Sequence, residues 1–158
     1  MSRYYFNNGF RYFSLKGQLS DEEGNEVYHF EPSSERTRVT LFKDEEETGH
    51  VETEFKILYR DYAIYQNEEK KELYSHFLTL FHGRISLTKT HLLLKGNFML
   101  MEYTINRGDE VLCTIHNDDK GCCVEIKEGE DEVYLLLVVL MVNLYNRFNN
   151  NLGTLNYD

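Results

Sequence analysis

Apolar and aromatic positions along this chain fall into two regimes. From Arg3 to Lys127 they come in short runs broken by polar and turn-forming residues, and from Val133 to Phe148 they form one long run. The short runs predict strands at Arg3–Asn7, Arg11–Leu19, Glu26–Glu31, Arg36–Lys43, His50–Leu58, Tyr62–Asn67, Glu72–Leu80, Arg84–Leu87, His91–Lys95, Phe98–Asn106, Glu110–Asn117 and Cys122–Lys127. Between them stand Asp21–Asn25, Arg107-Gly108-Asp109 and Asn117–Gly121, whose residues tolerate positive φ or close side-chain turns. Asp44–Glu47 and Glu68–Lys71 read as short charged turns. Short strands at regular spacing predict a sandwich or a barrel.

The alternation is imperfect. In Glu110–Asn117, Val111, Cys113 and Ile115 share one face, with Leu112, Thr114 and His116 on the other. In Phe98–Asn106, Met99, Met101, Tyr103 and Ile105 share a face, yet Phe98 and Leu100 lie opposite. Strands apolar on both faces need cover on both. The last run supplies a candidate cover. Glu130-Asp131-Glu132 precedes it and Arg147 ends it, the charge order that complements a helix dipole, and Asp131 is the better N-cap. The run is too long for an ordinary strand. As a helix over 131–148 it is apolar all round, which places it inside protein. The expected architecture is therefore mainly β: an antiparallel barrel of about twelve short strands enclosing an apolar C-terminal α-helix. Residues 1–148 read as a single domain and 149–158 as a loose tail.

Composition narrows the classes. The chain has 158 residues, 12 Tyr, 10 Phe, one Pro and no Trp, which suits a sheet-rich globule and not a disordered segment. A formal charge of -10 opposes nucleic acid and anionic surfaces except through a local basic patch. The three cysteines, Cys113, Cys122 and Cys123, are odd in number with two adjacent, so they read as free thiols of a reducing compartment. The first ten residues lack the apolar core of a signal peptide, and Val133–Val142 is too short to span a bilayer. The expected address is the cytoplasm.

A barrel followed by a helix that fills it is the order found in the Tubby C-terminal-like superfamily, and the chain resembles its small LURP-one-related and scramblase-like members. The resemblance rests on Arg11–Phe30 around the Asp21–Asn25 turn, on Gly49-His50-Val51 leading through Phe55-Lys56-Ile57-Leu58 to Tyr62-Ala63-Ile64-Tyr65, and on the helix Asp131–Leu144. Tubby proteins hold phosphoinositide headgroups with paired basic residues. The aligned positions here are His50 and Glu52. A carboxylate repels phosphate where a guanidinium would clamp it, so the resemblance does not carry the headgroup site over.

Candidate chemistry is sparse. Arg36 and Arg38 share a strand face, with Lys56 and Arg60 elsewhere, and read as a solvated face rather than an anion site. His29, His50, His76, His82, His91 and His116 show no zinc-hydrolase spacing. A metal site from Cys113, Cys123 and a histidine would have to be assembled in three dimensions. Asn117–Gly121 is a hairpin turn and not a calcium loop, its glycine being misplaced. No nucleophile elbow, phosphate loop or dinucleotide fingerprint is present. No catalytic, metal or cofactor residue is assigned, and no cofactor is expected. The expected function is a non-catalytic binding or interaction module with a filled barrel, acting at membranes or on a protein partner. The alternative is a carrier of a small apolar ligand in a lipocalin-like barrel, which requires an open lumen with the helix outside. An enzyme with a loop-built site rests only on the histidines and the many acids.

Overall fold

The computed structural model describes residues 1–6, 14–77 and 83–149. Its strands are β1 (Ser2–Phe6), β2 (Gly17–Ser20), β3 (Glu26–Pro32), β4 (Arg38–Lys43), β5 (Glu46–Phe55), β6 (Tyr59–Gln66), β7 (Glu69–Phe77), β8 (Arg84–Leu87), β9 (Leu92–Asn97), β10 (Glu102–Arg107), β11 (Glu110–Asp118) and β12 (Gly121–Ile126), followed by helix α1 (Glu132–Asn149). Each predicted segment overlaps one strand, although 14–16 and Lys56-Ile57-Leu58 of the predicted segments lie outside β2 and β5. Asn7, residues 11–13 and 78–80 of those segments, and the tail after Asn149, lie outside the described residues.

The strands form one antiparallel sheet in the order β7-β6-β5-β4-β3-β2-β1-β12-β11-β10-β9-β8. Chain neighbours pair throughout, and β1 pairs β12, so the meander curls into a nearly closed barrel. The break lies between β7 and β8. There a buried carboxylate takes the place of a backbone ladder. Glu72 of β7 accepts hydrogen bonds from the Thr90 amide (2.9 Å), the Thr90 hydroxyl (2.9 Å) and the Lys89 amide (3.4 Å), all in the β8–β9 turn. Lys89 Nζ donates to the Lys70 carbonyl at 2.8 Å, reinforcing the same seam. The exposed remainder of the edge is blunted by Lys70 and Glu69, and β8 has only four residues.

Helix α1 runs through the lumen. Leu136 to Val139, Met141, Val142 and Leu144 have no exposed surface, and the inward residues of the strands pack on them in one cluster. A twelve-strand barrel is wider than its own side chains can fill, which is why an all-round apolar helix is stable there. At the entry end Asp131 is the N-cap: its carboxylate accepts the Tyr134 amide at 3.1 Å. Glu132 accepts the hydroxyls of Tyr4 (2.7 Å) and Tyr28 (2.6 Å), tying the helix start to β1 and β3. Burial, then the hydrogen bond to Glu132, raises both tyrosine pKa values. Along β5, Gly49 admits the helix: a Cβ there would stand 2.6 Å from Leu137 Cδ1 and 2.5 Å from the Tyr65 carbonyl. At the exit end Asn146 donates to the Phe98 carbonyl at 2.7 Å and Asn143 to the Ser14 carbonyl at 3.4 Å.

Four readings of the strands are corrected. Phe98–Met101 is a turn, with Met101 at φ 55° and its amide on the Phe98 carbonyl, so the strand begins at Glu102 and Met99 is exposed while Met101 is buried. In β11 a bulge pairs Ile105 with Cys113 but Asn106 with Val111, which leaves Leu112 and Cys113 both buried and Val111 exposed. Arg36 stands at φ 60° in the turn before β4, so it shares no strand face with Arg38. The clusters Asp44–Glu47 and Glu68–Lys71 are tighter than expected. Only Asp44-Glu45 and Asn67-Glu68 form the turns, all four with positive φ, and the strands resume at once.

Two outcomes test this frame. Val139→Asp places an unpaired carboxylate in the lumen and is expected to abolish the cooperative urea transition, since such burial costs more than about 4 kcal/mol of a total near 5–15. Glu72→Ala is expected to lower stability by about 3 kcal/mol by stranding its donors, and to raise amide exchange in β8 and β9; Glu69→Ala, on the exposed part of the same edge, should change stability by less than about 0.5 kcal/mol.

Candidate functional site

The two ends of the barrel differ chemically. The entry end holds the β2–β3, β4–β5, β6–β7, β8–β9 and β10–β11 turns and the start of α1, and carries dense acid: Asp21-Glu22-Glu23, Asp44–Glu47, Glu68-Glu69 and Glu130-Asp131-Glu132. The exit end holds the β3–β4, β5–β6, β9–β10 and β11–β12 turns and the end of α1. It gathers most of the large apolar side chains left in water: Phe55 and Leu58 are well exposed, Ile57 is 91% exposed, and Met99 and Leu100 are about half exposed. Three adjacent apolar tips on one hairpin form a patch, unlike apolar residues scattered singly.

The β5–β6 tip is held firmly. The Lys56 amide donates to the Tyr59 carbonyl at 2.7 Å, and Lys56 Nζ reaches Glu54 Oε1 at 3.0 Å. Arg60 lies behind it. Its guanidinium carbon stands 3.8 Å from the ring centre of Phe148, on the last turn of α1, and 5.4 Å from that of Phe55. Among the described residues no carboxylate lies within ion-pair distance of it, and its Nε is buried without a hydrogen-bond partner. Burial lowers its pKa from the ordinary arginine value. The result is a half-buried guanidinium, set against the rings of Phe148 and Phe55 beside an exposed apolar tip. Sequence pattern ranked neither Lys56 nor Arg60 above background. Only the tertiary fold shows which cations have found carboxylates.

At the entry end a surface hollow of about 330 Å³ is lined by Lys71, Lys89, His91, Arg107, Asp131 and Tyr134, among others. Its cations are engaged: Lys71 with Glu69, Lys89 with the Lys70 carbonyl, Arg107 with Glu130. The position aligned with the tubby headgroup pair is closed in the same way. His50 Nε2 lies 3.1 Å from Glu52 Oε1, Arg38 Nη1 is 3.8 Å from the same oxygen, and burial, ahead of the Arg38 charge, lowers the His50 pKa. Arg38 is engaged by Glu52, and Arg36 lies in the turn before β4 and not on the strand face that an anion site would have used.

No family model matches the chain, and no curated protein matches it. Among solved structures, the X-ray structure of an Arabidopsis thaliana protein, a LURP-one-related protein, is similar with a TM-score of 0.63 at 10% identity, covering 92% of this chain and 91% of that chain. At that identity the likeness establishes the shared fold, a nearly closed twelve-strand barrel. No helix among the described residues is long and apolar enough to cross a membrane.

The cysteines are free and buried. Cys113 pairs in register with Ile126 and Cys122 is buried on the lumen side, whereas Cys123 is on the outer face opposite His116. The trio of Cys113, Cys123 and a histidine is therefore not assembled; Glu125 joins His116 and Cys123 instead. Burial raises all three thiol pKa values, that of Cys122 to about 12. The native protein is accordingly expected to resist a disulfide-exchange reagent at mildly alkaline pH over minutes, while the urea-unfolded chain reacts at all three thiols, as thiol titration by absorbance would read.

Proposed function

We propose that this chain is a non-catalytic interaction module, a LURP-one-related barrel of the Tubby C-terminal-like kind, that docks end-on onto an anionic membrane surface in the cytoplasm. The observation that carries the reading is the β5–β6 tip, where exposed Phe55, Ile57 and Leu58 stand beside the carboxylate-free Arg60, with Lys56 paired to Glu54. Apolar side chains at such a tip gain by entering the headgroup–acyl boundary, and basic residues beside them gain from anionic lipid. A planar guanidinium half-buried and fixed by stacking, with its terminal nitrogens free of described carboxylates, suits a phosphate, because little freedom remains to be lost on binding. The acidic entry end supports the same orientation, since an anionic surface repels it and the exit end then faces the lipid. The Arabidopsis barrel supports the family placement through fold, and the reduced thiols support the compartment. A carrier of a small apolar ligand needs a free lumen, and α1 occupies it.

Flotation with vesicles of phosphatidylcholine, alone and mixed with phosphatidylserine, tests the proposal. The wild-type chain is expected to float with the mixed vesicles and to release as salt rises. Ile57→Asp with Leu58→Asp should weaken binding at least about tenfold, each side chain withdrawing roughly 1.5–3 kcal/mol when fully buried, with no loss of thermal stability. Arg60→Gln should reduce the preference for the anionic vesicles. A wild-type chain that floats with neither mixture overturns the membrane reading and turns attention to a protein partner for the same tip.

A further inference from the structure

A second feature lies on the outer face of the barrel wall, away from the docking tip. The β11–β12 register sets His116 directly opposite Cys123, and Glu125 follows two residues on, so all three side chains leave the same face of the sheet. One ligand atom from each (imidazole nitrogen, thiol sulfur, carboxylate oxygen) lies within 4.8 Å of the other two. His116 Nε2 and Glu125 Oε1 are already 2.7 Å apart.

We propose that His116, Cys123 and Glu125 form a binding site for a divalent transition ion of the zinc class. An imidazole, a thiolate and a carboxylate are the donor set that zinc accepts, at about 2.0–2.3 Å from the metal, with a fourth tetrahedral position left to water. Bonds of that length require the sulfur to close on the other two donors by about an ångström and the His116–Glu125 pair, now 2.7 Å apart, to open by about half an ångström, adjustments of the size that side-chain torsions of His116 and Glu125 supply. The charges match: thiolate and carboxylate neutralise the ion. Magnesium and calcium, which prefer oxygen donors, are poor fits.

The surroundings define the competition that the ion meets. Arg3 Nε sits 3.5 Å from Glu125 Oε1 and must yield that oxygen, and Arg3 has a second carboxylate, Glu22, at 3.9 Å. Tyr5, opposite Cys123 on β1, directs its hydroxyl to Asp118 at 3.0 Å and also hydrogen-bonds the Cys123 sulfur, a contact that the ion must displace. The Cys123 thiol is fully covered, whereas the His116 side chain is 35% exposed and gives an approach from solvent. Binding expels the thiol proton, so affinity falls as pH drops.

The test is titration of the chelator-treated full chain with cobalt(II), zinc(II) and magnesium(II). A near-ultraviolet sulfur-to-cobalt charge-transfer band saturating at one ion per chain, displaced by zinc and absent with magnesium, is the expected result. Zinc should also raise the melting temperature of the wild-type chain. Cys123→Ser is expected to abolish the band. His116→Gln and Glu125→Gln should each weaken zinc at least tenfold by isothermal calorimetry, while Cys122→Ser, which alters the thiol facing the lumen, should keep the band. A wild-type chain that shows no cobalt–thiolate band overturns the site regardless of how the variants fold, and so does a band that survives Cys123→Ser. Vesicle flotation should be unchanged by Cys123→Ser, so this site and the docking tip stand or fall separately.

Discussion

Mutual burial of helix and barrel governs this molecule. Twelve strands curl to a diameter that their own inward side chains leave unfilled, and α1 is apolar on every face and cannot stand in water. Each is the other's solvent. That dependence explains why Gly49 stands where the helix approaches β5, why Glu132 collects two tyrosine hydroxyls at the entry, and why the helix's two inward asparagines lie at the exit, where turn carbonyls meet them. It also explains why the β1–β12 pairing matters. Without it the sheet would open, and the helix would lose its cover.

Closing the barrel at the β7–β8 break takes different chemistry. Glu72 is buried, yet its oxygens are satisfied by the amides and hydroxyl of the β8–β9 turn. Removal of one partner would leave the others stranded in low dielectric, so such networks fix geometry more than they add stability. Tyr134 extends the network to the first turn of α1 through the Thr90 hydroxyl at 2.9 Å. Helix, seam and turn are thus coupled at the entry end, while at the exit end the helix is tied by the Asn143 and Asn146 amides to backbone carbonyls.

The polarity of the barrel follows from the same arrangement. Acid collects around the helix N-terminus, where the dipole favours it, and in the neighbouring turns, where solvent screens it. The exit end carries apolar tips and a guanidinium that no described carboxylate answers. Burial decides which charges are structural and which are available: Lys71, Lys89, Arg38 and Arg107 are engaged, and Arg60 is stacked but unanswered. The wall site of His116, Cys123 and Glu125 depends on strand pairing in the same way, since only the β11–β12 register makes neighbours of residues that the sequence separates.

The sequence by itself determined the twelve strands, the helix, its cap at Asp131 and the barrel around it, because period, apolar length and turn chemistry are local signals that residues carry with them. It misplaced the strand start at Phe98 and the alternation in β11, because a positive φ at Met101 and a bulge at Leu112 are decided by the partner strand and not by the residue. It placed charged turns at Asp44–Glu47 and Glu68–Lys71 but not their two-residue length, because the left-handed backbone of Asp44-Glu45 and Asn67-Glu68 is held by the flanking ladders where glycine would have announced it. The candidate sites were legible only in part. Cys123, His116 and Arg60 drew notice as residue types, but Glu125, the exposed tip and the absence of a described carboxylate at Arg60 did not, because a ligand set or an unpaired cation is a statement about distances. Those distances belong to long-range pairing, which tertiary structure alone decides.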